Sequence, residues 1–136
     1  MAKMKESKIM ESAFDSFRIK SLKDLRYKDI FHVPNGGFRA KQEAWSLKRQ
    51  GVKSGVPDIF VDYPCGLYHG ARIEVKMIGG RLSDTQKAYL KRAGDLNFWV
   101  AVVWCKDNAL PVVQAVEAYL SLDTVPKETY EVRKST

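Results

Sequence analysis

The sequence predicts an α/β sandwich in which a central mixed β-sheet is flanked by helices. Three observations predict this class. Apolar residues recur at helical spacing near both ends of the chain, two short apolar runs flank a turn-rich segment, and a continuous apolar run at Phe98–Trp104 follows a helical segment. The implied order is helix, strand, helix, hairpin, helix, strand, helix. Helices and strands arranged in this order form layers around one core.

The composition indicates one domain over residues 1–136, with a polar, frayed tail from about residue 125. Its 23 Lys and Arg residues against 16 Asp and Glu give a net charge of +7, which favours a polyanionic partner. No apolar stretch reaches the ~20 residues that cross a bilayer, and Met1–Lys5 is not followed by the apolar segment of a secretion signal. We therefore expect nucleic acid as the partner, no membrane contact and a cytoplasmic location.

The first elements are a helix over residues 4–18, a loop or short helix over 21–28, and a strand over 30–33 that Pro34 ends. The apolar face of the helix consists of Ile9, Met10, Ala13, Phe14 and Phe17. Glu6 falls in the middle of that face, whereas Glu11 lies outside it. A buried carboxylate needs a partner, so Glu6 is expected either to approach a metal ion or a lysine, or to interact with the helix dipole.

A second helix is predicted over residues 39–50 and ends at Gly51. Its outer face and the loop after it are basic: Arg39, Lys41, Lys48, Arg49 and Lys53. Because this segment leads directly to Asp58, these cations are candidates for binding a phosphate backbone. The turn at residues 63–70 then joins two strands, and its tyrosines either pack in the hairpin or stack on unpaired bases near the site.

The remaining elements are two helices with a strand between them. Ser83 and Gln86 fit a capping box that starts a helix running to about Ala93, with Gly94 as its stop. Arg81 and Lys87 extend the basic surface here. The apolar run at 98–104 predicts a central strand that is buried on both faces and parallel to the strand before it. The last helix is predicted over residues 110–122, with Val112, Val113, Val116, Tyr119 and Leu120 facing the core.

The chemistry is concentrated in the predicted hairpin. Glu74 and Lys76 lie two apart in a strand and therefore point to the same face, while their neighbours face the core. The hairpin would bring Asp58 beside them. Two carboxylates and an ammonium form an oxygen-ligand site for a divalent cation such as Mg²⁺ or Mn²⁺. A zinc site at the two cysteines is the less favoured alternative, since Cys65 and Cys105 are expected to be free thiols.

Four segments together resemble the VRR-NUC branch of the PD-(D/E)XK nucleases, in its stand-alone phage or prophage form. They are Gly55-Val56-Pro57-Asp58, Glu74-Val75-Lys76, Gly79-Gly80-Arg81-Leu82-Ser83 and Gln86. The resemblance implies a restriction-endonuclease-like fold and metal-dependent hydrolysis of DNA phosphodiesters. It implies that Asp58, Glu74 and the Val75 carbonyl hold Mg²⁺ or Mn²⁺, and that Lys76 acts on the attacking water.

The same resemblance implies further roles for three residues. Glu6 would complete the metal site, Gln86 would face the catalytic strands besides closing its capping box, and Asn35 would contact substrate from a Pro-Asn-Gly turn. Met10 stands where the family often carries Gln. Stand-alone members act as homodimers on branched DNA such as four-way (Holliday) junctions. The alternatives are a nucleic-acid-binding module with a vestigial site and a sequence-specific restriction endonuclease.

Overall fold

The computed structural model describes residues 5–34 and 40–123. Within these ranges the chain forms helices and strands in the predicted order. They are α1 (Glu6–Lys20), a 3-10 helix (Leu25–Asp29), β1 (Ile30–His32), α2 (Lys41–Arg49), β2 (Ile59–Val61), β3 (Ala71–Met77), α3 (Asp84–Asp95), β4 (Trp99–Cys105) and α4 (Leu110–Leu120). The predicted tail and the predicted contacts Asn35 and Arg39 lie outside the described residues. No described helix is long and apolar enough to span a membrane.

The sheet is mixed, as predicted, with the strand order β1-β2-β3-β4. β2 pairs antiparallel with β1 and β3, and β4 pairs parallel with β3. The prediction that β4 is a central, fully buried strand is wrong. It lies at the edge of the described sheet, and Val100 and Trp104 remain 37% and 44% exposed. A run of apolar residues predicts burial on both faces only where helices cover both faces, and the face of β4 that carries Val100 and Trp104 is only partly covered.

The core forms where α1 and α4 pack against one face of the sheet. The apolar faces predicted for both helices are buried, apart from Phe14, which is half-buried. Tyr119 is the largest fully buried side chain; its hydroxyl donates to the Tyr63 carbonyl at 2.6 Å and accepts from the Cys65 N–H at 3.0 Å. Because this polar end is satisfied, the ring stabilises the core without leaving an unpaired hydroxyl.

The hairpin turn belongs to this core rather than to the predicted site. Tyr63 and Tyr68 pack against the buried cluster, so the packing alternative holds and the expectation that they lie near the site is wrong. Asp58 precedes β2 whereas the turn follows it, which puts them at opposite ends of the strand. Cys65 and Cys105 are buried free thiols at opposite ends of β3.

α3 lies on the opposite face of the sheet from α1 and packs mainly against β4. Its capping box is confirmed: Ser83 Oγ accepts from the Gln86 N–H, and the Gln86 side chain accepts from the Ser83 N–H. The helix continues through the predicted stop at Gly94. The residue with left-handed backbone is Asn97, at φ 70°. Gly94 instead sits close to Val100, so its lack of a side chain serves helix packing on β4.

Gly55 is expected to be the glycine least tolerant of substitution in the loop before β2. Its φ is +79°, and a Cβ there would lie 2.6 Å from the Thr85 carbonyl carbon and 2.9 Å from the Gln86 nitrogen. Gly51 has a similar φ of +93° but open space around it. Gly51→Ala should cost about 1–2 kcal/mol of unfolding free energy, and Gly55→Ala about 1–3 kcal/mol more because backbone must move. Urea denaturation measures both. Equal losses of unfolding free energy in the two variants would mean that the loop does not pack tightly against α3.

Candidate active site

The register of the hairpin brings the two predicted carboxylates side by side. Ile59 pairs with Ile73 across β2 and β3, so Asp58, which immediately precedes β2, lies opposite Glu74. Only 8% of Asp58 and 3% of Glu74 is exposed, and no other charged residue in the described ranges is buried. The hairpin therefore places Asp58 and Glu74 together, as predicted. It also buries them, although the surrounding residue types did not indicate this.

Each carboxylate is held by a different partner. Asp58 Oδ2 accepts a hydrogen bond of 2.8 Å from the Val75 N–H. Glu74 Oε1 accepts one of 2.7 Å from Gln86 Nε2 and lies 3.6 Å from Lys76 Nζ. Glu74 Oε2 is buried and has no hydrogen-bond partner. One oxygen of the pair is thus left without the stabilisation that buried carboxylates normally receive.

Burial raises the pKa of both carboxyl groups. For Glu74, burial is the largest cause and the negative charge of Asp58 the next, and together they raise its pKa to about 8 although Lys76 opposes them. Burial also raises the pKa of Asp58, against the hydrogen bond from the Val75 N–H. Without a cation, the pair therefore holds a proton near neutral pH.

Gln86 connects the first turn of α3 to the site. Its Oε1 accepts from the Ser83 N–H at 2.8 Å, while its Nε2 donates to Glu74 Oε1 at 2.7 Å. The two predicted roles of Gln86, capping its helix and facing the catalytic strands, therefore coexist in one side chain. Because the capping box fixes this side chain, its amide is already oriented toward the carboxylate.

Glu6 lies at the rim of the site rather than inside it. It stands in the first turn of α1 and is exposed, so the expectation that it is buried on the inner face is wrong. The residues on either side of it, Lys5 and Ser7, are exposed as well, so this turn is open to solvent. Partial burial and the charge of Asp58 raise the pKa of Glu6, and Lys76 and His32 oppose them. Glu6 is thus close enough to the pair to interact electrostatically.

His32 is a contact that the sequence analysis did not assign. Its Nδ1 lies 2.7 Å from the Asp58 carbonyl oxygen, and the Val33 N–H donates to the same oxygen at 2.8 Å. These contacts fix the backbone of Asp58 from the side of β1. The pairing of His32 with Ile59 depends on the register of β1, which the local pattern of residues did not give.

The predicted DNA contacts that the structure describes are all exposed: Lys41, Lys48, Arg49, Lys53, Arg81 and Lys87. They lie on two segments. Arg81 and Lys87 flank the start of α3. The loop that carries Lys53 contacts the same helix start, because Gly55 in this loop lies against its backbone. The other three lie on α2, where the Arg49 guanidinium is 4.9 Å from the Trp45 ring centroid. None of them contacts the carboxylate pair directly, so they can act only on more distant parts of a ligand.

The carboxylate pair fits a hard divalent cation. Mg²⁺ keeps several waters and takes one or two protein carboxylates, with oxygen as its preferred ligand atom. The orphaned Glu74 Oε2 is the atom that such a cation would satisfy. The Val75 N–H points toward Asp58, and because N–H and C=O of one strand residue point the same way, its carbonyl faces that side too. The described ranges contain no group of three or more His, Cys, Asp or Glu that could hold a metal.

A mixed sheet that brings two acidic residues and a lysine together suits a nuclease-type domain, and similarity to known proteins shows that class. The VRR-NUC domain family matches residues 10–107, so the chain belongs to that family. A solved structure described as a VRR_NUC domain protein shares the fold, with a TM-score of 0.76 and 24% identity, covering 90% of this chain and 93% of that chain. The search of curated proteins gave no match. The family match includes Asp58, Glu74, Lys76 and Gln86, and it begins after Glu6.

In chelator, the protein is expected to lose stability as the pH rises from about 5 to 8. Folded Glu74 holds its proton up to a pKa of about 8, whereas the unfolded chain releases it near 4.5. The folded state thus binds more protons in this window, and the unfolding free energy must fall as pH rises. Glu74→Gln is neutral and similar in shape, so it should be more stable than wild type above pH 8, by on the order of a few kcal/mol.

Denaturant titrations between about pH 5 and pH 9 measure this effect. Glu11→Gln is the matched control, since the Glu11 side chain is 62% exposed on α1. It should leave the pH dependence of the wild type unchanged. Wild-type and Glu74→Gln curves that run parallel across the whole range would contradict the raised pKa.

Proposed function

We propose that this protein is a metal-dependent endonuclease that hydrolyses phosphodiester bonds in DNA. The observation that carries the proposal is the buried pair of Asp58 and Glu74, with its orphaned oxygen at Glu74 Oε2. Burying two carboxylates together costs folding free energy. Carboxyl groups with strongly perturbed pKa values occur mainly at functional sites, and a divalent cation is the partner that would compensate both charges. Membership of a nuclease-type family supports the same conclusion.

In the proposed site, Asp58, Glu74 and the Val75 carbonyl would hold Mg²⁺ or Mn²⁺. When bound, such an ion polarises the scissile phosphate and makes nearby water more acidic. Gln86 and the Val75 N–H each fix one carboxylate through hydrogen bonds of 2.7 and 2.8 Å. Each carboxylate is therefore preorganised before the ion or the DNA arrives, which reduces the reorganisation that binding requires.

Lys76 is assigned to the reacting groups and not to the metal. An ammonium repels a cation, so Lys76 cannot be a ligand, yet its side chain is only 17% exposed and is held 3.6 Å from Glu74 Oε1. From there it would orient the attacking water and offset the negative charge that develops on the phosphate oxygens. Glu6, at the rim, would act through water, because the described residues provide no three-carboxylate cluster.

DNA is the proposed substrate because the chain is basic and exposed cations lie on the segments that lead to the carboxylate strands. The net charge is +7, and the exposed cations of the α2 and α3 segments would contact phosphates on either side of the scissile bond. We further propose a branched substrate such as a four-way junction, cut by a homodimer. Resolving a junction requires cuts on two opposed strands, and a two-fold dimer supplies two sites related by the same symmetry.

Asp58→Ala and Glu74→Ala are each expected to reduce cleavage by at least about a hundredfold in Mg²⁺ or Mn²⁺, because each removes a metal ligand. Asp62→Ala is the matched control: Asp62 is an exposed carboxylate just past the other end of β2. Cleavage of end-labelled DNA, with a chelator lane for each variant, measures the rates. Near wild-type cleavage by either site variant would contradict the metal site. A wild type that binds DNA equally well in chelator and cuts none when Mg²⁺ or Mn²⁺ is present would instead be a binding module.

Glu6→Ala is expected to lower the cleavage rate by roughly ten- to a hundredfold, the range typical of a group one contact away from a metal ligand. Glu11→Ala should cleave at the wild-type rate, because Glu11 pairs with Lys8 on the exposed side of α1. Both variants can be compared in one assay at several Mn²⁺ concentrations. Equal rates for Glu6→Ala and wild type would place the N-terminus of α1 outside the mechanism.

Light scattering is expected to give about twice the chain mass of 15.5 kDa. In parallel digests with Mg²⁺ and Mn²⁺, four-way junctions should be cut in preference to flaps and linear duplexes. Paired nicks on opposed strands should appear close to the branch point. A monomeric particle that degrades linear duplex as readily as junctions would contradict both the dimer and the substrate.

A further inference from the structure

α2 (Lys41–Arg49) is a helix that contributes little to the core. None of its residues is buried, and only Leu47 is half-buried. At about 100° per residue, Trp45 and Arg49 each lie about 160° away from Leu47 around the helix. Leu47 is therefore the contact to the rest of the protein, and Trp45 projects into solvent with 63% of its surface exposed. The indole is therefore accessible to a ligand or partner.

On α2, the charged side chains on the side of Trp45 are all positive. Arg49 covers one side of the indole at 4.9 Å from the ring centroid, and Lys41 and Lys48 lie within about a turn on the same side of the helix. The carboxylate of α2, Glu43, falls on the Leu47 side instead. Within the described ranges, no carboxylate forms an ion pair with these three cations. This face, which we call the Trp45 face, is therefore suited to a polyanion with flat apolar groups.

The segment that carries the Trp45 face is joined to the sheet at the end where the carboxylate pair lies. α2 lies in the connection between β1 and β2, which leaves β1 after His32 and returns to the sheet at Asp58. These two ends are in contact, since His32 Nδ1 is 2.7 Å from the Asp58 carbonyl oxygen. The segment that carries Trp45 therefore begins and ends beside the carboxylate pair.

We propose that Trp45 is a stacking site for a DNA base that lacks a stacking neighbour, as at a branch point or in a flap, with Lys41, Lys48 and Arg49 on the adjacent phosphates. This inference rests on the proposed nuclease function and adds how a branch point is recognised. Arg49 occupies one face of the indole and leaves the other face for a base. A second copy of α2 is a poor occupant, because three cations would meet three cations. Fully paired duplex is also a poor occupant, because its bases stack on one another.

Binding in chelator separates this recognition from cleavage. The probes are a fluorescent duplex with a single-stranded flap and the same duplex fully paired. Trp45→Ala should weaken flap binding about tenfold, the value of one stacked base, and change duplex binding by less than about twofold. Trp45→Phe should recover most of the loss. Leu67→Ala, at a residue that is 86% exposed on the hairpin turn, is the control and should bind like wild type.

The salt dependence distinguishes the indole from its neighbouring cations. Lys48→Ala should weaken both probes equally and lower the slope of log affinity against log salt by about one, whereas Trp45→Ala should leave the slope unchanged. Equal losses of Trp45→Ala on flap and duplex, or no loss on either, would overturn the proposal. So would a shift of Trp45→Ala to half the wild-type mass in light scattering. A wild type that shows the flap selectivity but cuts no DNA would support this site and contradict the nuclease function.

Discussion

The burial of two carboxylates on neighbouring strands is the constraint on which the rest of the site depends. The pairing of β2 with β3 sets Asp58 opposite Glu74, and the surrounding sheet and helices exclude water from both. Two negative charges are unfavourable in such a place: burial raises the pKa of each carboxyl, and the charge of Asp58 raises the pKa of Glu74 further. The neighbouring groups offset this only partly, since Glu74 Oε2 remains without a partner. The fold therefore retains an unfavourable arrangement that a divalent cation would relieve, as is typical of sites selected for function and not for stability.

α3 shows how the fold holds this arrangement in place. Gln86 closes the capping box with Ser83 and bonds Glu74 at the same time, so the start of the helix and the carboxylate are fixed together. The loop before Asp58 then packs directly on that first turn, where Gly55 leaves no room for a side chain. The two carboxylates thus belong to different segments of the hairpin, but the start of α3 positions both. It bonds Glu74 directly and supports the loop that precedes Asp58. A rigid support of this kind is what a preorganised site requires.

The sequence predicted those features that depend on local periodicity and failed where they depend on neighbours. The alternation of Glu74 with its apolar neighbours, the buried faces of α1 and α4, and the Ser83 capping box all follow from spacing along one element. The edge position of β4 could not be predicted this way, because an apolar run does not reveal whether another strand pairs beyond it. The stop expected at Gly94 failed because that glycine serves the contact with Val100. Glu6 was expected to be buried because its angle on the helix matches that of the apolar face. The angle does not show whether other parts of the fold cover the first turn of the helix.

Calorimetric titration of Mn²⁺ into the wild type and Glu74→Gln tests the central claim most directly. Run near pH 7 in buffers of different ionisation enthalpy, it reports both ion binding and the protons exchanged. The wild type is predicted to bind Mn²⁺ and to release about one proton per ion, because the proton held by the Asp58–Glu74 pair must leave before the metal binds. Glu74→Gln is predicted to lose most of the affinity and the proton release. A wild type that does not bind Mn²⁺ would contradict the account. So would a wild type that binds Mn²⁺ with the same affinity as Glu74→Gln and releases no proton.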